Sequence, residues 1–222
     1  MIVVVGQPLF LGTDDGGLPA GLPARISLAA ASQGRSVQLV GKAGEDPEGD
    51  AVVLGLASGG VGHVAFLRDA GMSTPLAPEL VDDFQVPDDS DSTGEDVGRS
   101  RGEELGGPVL DSADVELALR YLTDYSVVVL AEAADEELGR VVASAAGWSG
   151  AMLIVVVSPG GVIPNGLPPD AIVFEAPDAD PDGVFATMVG SFAAALDDGS
   201  DPATAFRSTV AAEGWTAATN TI

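Results

Sequence analysis

The sequence predicts an α/β protein with a mainly parallel sheet and helices on both faces, built from the whole chain, 1–222, as one domain. Three observations lead there. Short valine- and isoleucine-rich runs alternate with alanine-rich segments that carry helix start and stop signals. The strand runs are apolar at nearly every position, as expected of parallel strands covered on both sides. A length of 222 residues fits one domain with a sizeable core.

Each element has its own justification. "IVVV" (2–5) ends at Gly6 and reads as a buried strand. "GLPARISLAAASQG" (21–34) has proline near its start, alanine-rich helical composition and a closing glycine, so it reads as a helix. "SVQLVG" (36–41) is a second strand. In "EDPEGDAVVLGLASGG" (45–60), Asp46 is placed to cap a helix that has Pro47 at its first position and Gly-Gly as its stop. "VGHVAFL" (61–67) is a third strand. From 86 to 107 the sequence is rich in Asp, Ser, Gly and Glu with no apolar period, and a mobile acidic loop or insertion is expected.

The alternation then resumes. A helix in 111–125 is capped by Asp111 or Ser112, a strand follows at 126–131, a helix at 134–147, and strands at 151–157 and 170–176. "DADPDGVFATMVGSFAAALDDG" (178–199) opens a long apolar helix for which Asp182 is the expected cap. "SDPATAFRSTVAAEG" (200–214) closes the fold, with Ser200 or Asp201 as cap and Gly214 as stop.

The charge narrows the function classes. A formal net charge of -25, with Lys42 the single lysine against 34 Asp plus Glu, excludes nucleic acid and anionic membrane as partners, since both need clustered cations. Such a surface, spread over a chain that is 46% hydrophobic, suits a folded protein of a high-salt, halophilic cytoplasm. No signal peptide or membrane-spanning run is recognised, so a cytoplasmic location is expected. Cysteine is absent, which removes thiol nucleophiles and thiolate metal sites. His63 is expected in the core or at a sheet edge, Lys42 in a salt bridge to Glu45 or Asp46, and Trp148 and Trp215 as core anchors.

The stretch 21–75, and "VGKAGEDPEGD" within it above all, resembles the N-terminal signature of the ribokinase-like (PfkB) carbohydrate kinases. "VFATMVGSFAAALDDGSDPATAFRSTVAA" is similar to that family's C-terminal signature. The resemblance implies a ribokinase-like three-layer sandwich and, in active members, magnesium-dependent transfer of the ATP γ-phosphoryl group to a sugar or nucleoside hydroxyl. Where the family places its first substrate aspartate this chain has Leu11, and where it places a sugar-binding asparagine it has Arg25. Glu132 matches a position where members put a carboxylate against the sugar. Arg25 and Glu132 are therefore the expected substrate-binding positions.

The family's Gly-Ala-Gly-Asp anion hole falls on Gly183, Val184, Phe185 and Ala186. Gly183 keeps the cofactor-binding glycine, but a phenylalanine stands where the backbone must approach phosphate and an alanine where the general base belongs. The segment that builds the nucleotide site between the family's Asn-x-x-Glu motif and the anion hole is expected to be missing. A calcium loop in "DADPDG" is disfavoured because its twelfth position is Val189. The expected function is that of a degenerate kinase homologue, a pseudokinase without phosphotransfer. It would act as a small-ligand-binding or regulatory protein, with a sugar-like or nucleoside ligand, no cofactor and possible homo-oligomer formation. The alternative is an active kinase using Mg and ATP, with Asp182 as displaced base and Glu175 and Asp178 as metal ligands.

Overall fold

The computed structural model describes residues 1–13, 16–77, 107–132 and 135–212. Of the expected acidic loop, 86–106 lies outside these residues, as do Trp215 and the helix stop at Gly214.

In chain order the elements are β1 (Ile2–Val5), β2 (Leu9–Thr13), β3 (Gly16–Ala20), α1 (Gly21–Ser32), β4 (Val37–Gly44), α2 (Pro47–Ser58), β5 (Val61–Gly62), β6 (Phe66–Asp69), α3 (Ser112–Tyr121), β7 (Val127–Leu130), α4 (Glu136–Ser149), β8 (Met152–Val157), β9 (Ile172–Glu175), α5 (Val184–Asp197) and α6 (Pro202–Ala212). The main sheet runs β5-β4-β1-β7-β8-β9, with β6 added on β4, and every pairing in it is parallel. The α/β reading from sequence is thus correct.

Alternation along the strands divides the interior into two layers. Ile2, Val4, Leu39, Val127, Val129, Ile154 and Val156 face one side, where α1, α2, α5 and α6 pack against them. Val3, Val5, Val40, Val128, Leu130, Leu153 and Val155 face the other, under α3 and α4. Because both faces are covered, the central strands are apolar at every position, the pattern by which they are recognised in sequence. Phe174 of β9, Phe192 of α5 and Phe206 of α6 form a ring cluster at one end of the first layer, with centroids 5.5–6.2 Å apart.

Helix starts follow the sequence closely at α2, α3 and α4. Asp46 caps α2 through the Gly49 N–H, Asp111 forms a capping box with Asp114 on α3, and Asp135 caps α4. Gly6 ends β1 because nothing larger fits there. A Cβ would lie 2.6 Å from Pro23 Cγ and 2.9 Å from the Ala131 carbonyl oxygen, so the chain passes directly under α1.

Several expectations are corrected. The single strand at 61–67 is two short strands, β5 and β6, pairing with successive halves of β4; His63 lies in the turn between them and is exposed, not in the core. Lys42 pairs with Asp114 of α3 at 2.9 Å, since its side chain leaves β4 on the α3 face and Asp46 is already engaged by Gly49 and Thr74. Trp148 is 90% exposed. It follows the buried Ala146 by two residues, about 200° around the helix, which turns it to solvent. The antiparallel hairpin of β2 and β3 is an element that the sequence reading omits, although the Asp15-Gly16 dipeptide is a hairpin signal.

Candidate functional site

In an open parallel sheet, ligands sit beyond the carboxyl ends of the strands, and the cleft here is in that place. It has a volume of about 200 Å³. The end of β7 supplies Glu132, the end of β8 supplies Val156 to Pro159, the chain leaving β9 supplies Ala176 to Asp180, and Leu22 of α1 and Phe185 of α5 close it. Its polar side chains are Glu132, Ser158, Asp178 and Asp180, and no Lys, Arg or His is among the described lining residues. The cleft is built to accept hydrogen bonds.

Glu132 follows β7 in the left-handed backbone region, φ 62°, which costs a residue with a Cβ about 1 kcal/mol or more. Its side chain is exposed at the mouth of the cleft, while neighbouring protein on its inner side pushes its carboxyl pKa upward by desolvation.

The start of α5 forms the floor. Gly183 is in the left-handed region, φ 70°, and makes no side-chain cap. The expectation that Asp182 caps this helix is overturned: Asp180 does so. Its Oδ1 accepts from the Phe185 N–H and its Oδ2 from the Ala186 N–H, each at 3.0 Å. The Asp180-Pro181-Asp182-Gly183 turn, closed by the Gly183 N–H to the Asp180 carbonyl at 3.2 Å, folds Asp180 back over the helix end and leaves Asp182 exposed. Arg25 holds the turn from α1, its Nη1 donating to the Asp180 carbonyl at 2.6 Å and to that of Pro181 at 3.5 Å.

The other expected site residues divide. Asp178 joins Glu132 in the cleft wall. Glu175 accepts from the Gly160 N–H at 2.8 Å and is outside the lining, as is Asp182. Among the described residues no group of three or more His, Asp or Glu is arranged to hold a metal ion. Sequence reasoning misses Asp180. A carboxylate three residues before a left-handed glycine is the signal that could have found it, but "DADPDG" offers three carboxylates and sequence does not say which one folds back.

No family model matches the sequence, and no curated protein matches it. The fold has close counterparts among solved structures. A candidate ribokinase II of E. coli, in complex with ATP and magnesium, superposes with a TM-score of 0.64 at 15% identity, covering 96% of this chain and 91% of its own. The ribokinase of Arabidopsis thaliana, complexed with ribose and ATP, gives 0.61 at 16%, covering 96% and 90%. A candidate phosphofructokinase from Staphylococcus aureus gives 0.59 at 14%, covering 96% and 90%. The class defined by the sheet order, the two helical layers and the cleft is therefore an α/β sandwich of the sugar-kinase type. More particularly, the fold is ribokinase-like, as the sequence signatures imply. Among the described residues, no helix is long and apolar enough to cross a membrane.

Proposed function

We propose that this chain is a sugar-kinase homologue that does not transfer phosphoryl groups, and that it binds a small uncharged polyhydroxy compound, a sugar or nucleoside, in the cleft beyond β7, β8 and β9. One observation carries the reading: the Asp180 carboxylate occupies the Phe185 and Ala186 N–H groups at the start of α5.

Phosphoryl transfer depends on positioned donors that stabilise charge spread over the transferred group. The backbone donors suited to that task are taken by a carboxylate. A phosphate oxygen brought within about 4 Å of that carboxylate would meet repulsion of roughly 4 kcal/mol per charge pair near a protein surface. In the register that the resemblance implies, Ala186 stands in the place of the family's base, and its methyl group can neither accept nor give a proton. ATP and magnesium fit these residues poorly, because the cleft has no described cationic side chain and no carboxylate cluster of metal-binding geometry. Glu132, Ser158, Asp178 and Asp180 suit hydroxyl groups instead, each of which can donate to a carboxylate.

Calorimetric titration with ribose, fructose and adenosine, and separately with MgATP, tests the reading. Saturable binding of one neutral compound with no heat from MgATP is expected. ADP production from MgATP with any of these compounds would overturn it.

A further inference from the structure

The cleft has a feature that its ligand reading does not require. The start of α5 brings together the two parts of an anion site, the N–H groups of a helix start and, outside the cleft lining, the Arg25 guanidinium, yet a carboxylate of the same chain already occupies those N–H groups. The Asp180 side chain takes the Phe185 and Ala186 N–H groups at 3.0 Å each. Arg25 approaches from the other side, its Nη1 2.6 Å from the Asp180 carbonyl oxygen and 3.6 Å from where a Cβ on Gly183 would lie. Asp180 also lines the cavity itself, together with Phe185. A ligand in the cleft therefore lies beside this carboxylate as well as beside the helix end.

We propose that Asp180 is the specificity-determining residue of the cleft: a built-in anion that denies the α5 helix end to phosphate, so that sugars and nucleosides are admitted and their phosphate esters refused. This rests on the reading of the cleft as a ligand site. Two effects act together. The carboxylate satisfies the amide donors internally, so an incoming phosphate gains no hydrogen bonds from them. Its charge, beside Asp178 and Glu132, also repels any dianion that enters. Arg25 is a positioning residue. By gripping the Asp180 carbonyl it fixes the turn that aims the side chain, and its charge remains available once that side chain is removed.

The test is an NMR titration of the intact chain with inorganic phosphate, following the amide signals of Phe185 and Ala186. In the wild-type protein these signals should not respond in a saturable way. In Asp180→Ala they should, with phosphate bound on the order of tenfold or more tighter than by the wild type, which corresponds to at least about 1.4 kcal/mol. Asp180→Asn removes the charge while keeping an oxygen for the amides, and it answers the same question if Asp180→Ala does not fold; a weaker but measurable phosphate response is expected. Adding Arg25→Ala to Asp180→Ala should reduce the gained affinity, which a purely structural role for Arg25 would not require. A folded variant whose amides ignore phosphate, or a wild-type protein that binds it equally well, overturns the proposal. Neither result bears on whether the wild-type cleft binds a neutral sugar. Conversely, failure to bind any sugar would remove the ligand reading and leave the phosphate result standing.

Discussion

Asp197, the last residue of α5, accepts a 2.7 Å hydrogen bond from Nε of Arg35, which follows α1, and so ties together the ends of two helices that pack side by side. The Met1 ammonium reaches the same carboxylate at 2.7 Å, and Ser126 also donates to it. Burial alone would raise the pKa of this carboxyl, but the hydrogen bonds from the Met1 ammonium, Ser126 and Arg35 outweigh burial and hold it at about 2.

A folded value below the unfolded one means that Asp197 contributes stability above the ordinary carboxylate value of 3.8, and that this contribution is lost as pH falls through about 2. The difference corresponds to roughly 2 kcal/mol. Asp197→Asn should lower stability by about that amount at neutral pH and make the acid limb of the stability curve shallower. Urea denaturation across the acid range checks it, and an unchanged acid limb would refute it.

Gly190 lets α5 lie directly on α1. A Cβ there would come within 2.7 Å of the Ile26 carbonyl oxygen and 2.7 Å of Ala29 Cβ, and 3.0 Å of the Ala30 amide nitrogen, all of them groups that cannot swing aside. Gly190→Val should therefore force the helices apart and cost about 3 kcal/mol, near the upper end for overpacked cores. The expected outcome is a lower denaturation midpoint with native-like far-UV circular dichroism.

Asp46 does more than cap a helix. Besides the Gly49 N–H at 2.8 Å, it accepts from the Thr74 N–H at 2.7 Å and from the Thr74 hydroxyl at 2.5 Å, pinning the segment after β6 to the start of α2. Asp46→Ala leaves those donors unmatched and should destabilise by about 2 kcal/mol. Thr74→Val should cost less, and the double mutant should fall short of the sum, because the two residues share one network.

Glu132 titrates in the opposite sense to Asp197. Its carboxyl is pushed above the ordinary 4.5 by desolvation, so stability is highest where the group is protonated in both states and declines as pH rises from that value through the raised one. Glu132→Gln should flatten this decline. Thermal unfolding at about pH 4 and about pH 7 should show the variant gaining on the wild type at the higher pH, and an equal difference at both would refute it.

Much of the fold is legible in the chain because its signals are local. The apolar runs 2–5, 127–130 and 153–157 are buried on both faces, and Asp46 and Asp111 announce helix starts through hydrogen bonds spanning three residues. What escapes is set by contacts distant in sequence. The partner of Lys42 is 72 residues away on α3, and nothing near Lys42 names it. The division of 61–69 into two strands depends on both halves of β4 being available for pairing.

The sequence by itself determined the strand–helix alternation and the covering of the sheet on both faces, because residue type and short spacing settle those matters. Only the tertiary structure decided which carboxylate of "DADPDG" closes the α5 helix end. That choice depends on Gly183 turning the chain back and on Arg25, from a helix more than 150 residues earlier, gripping the Asp180 carbonyl.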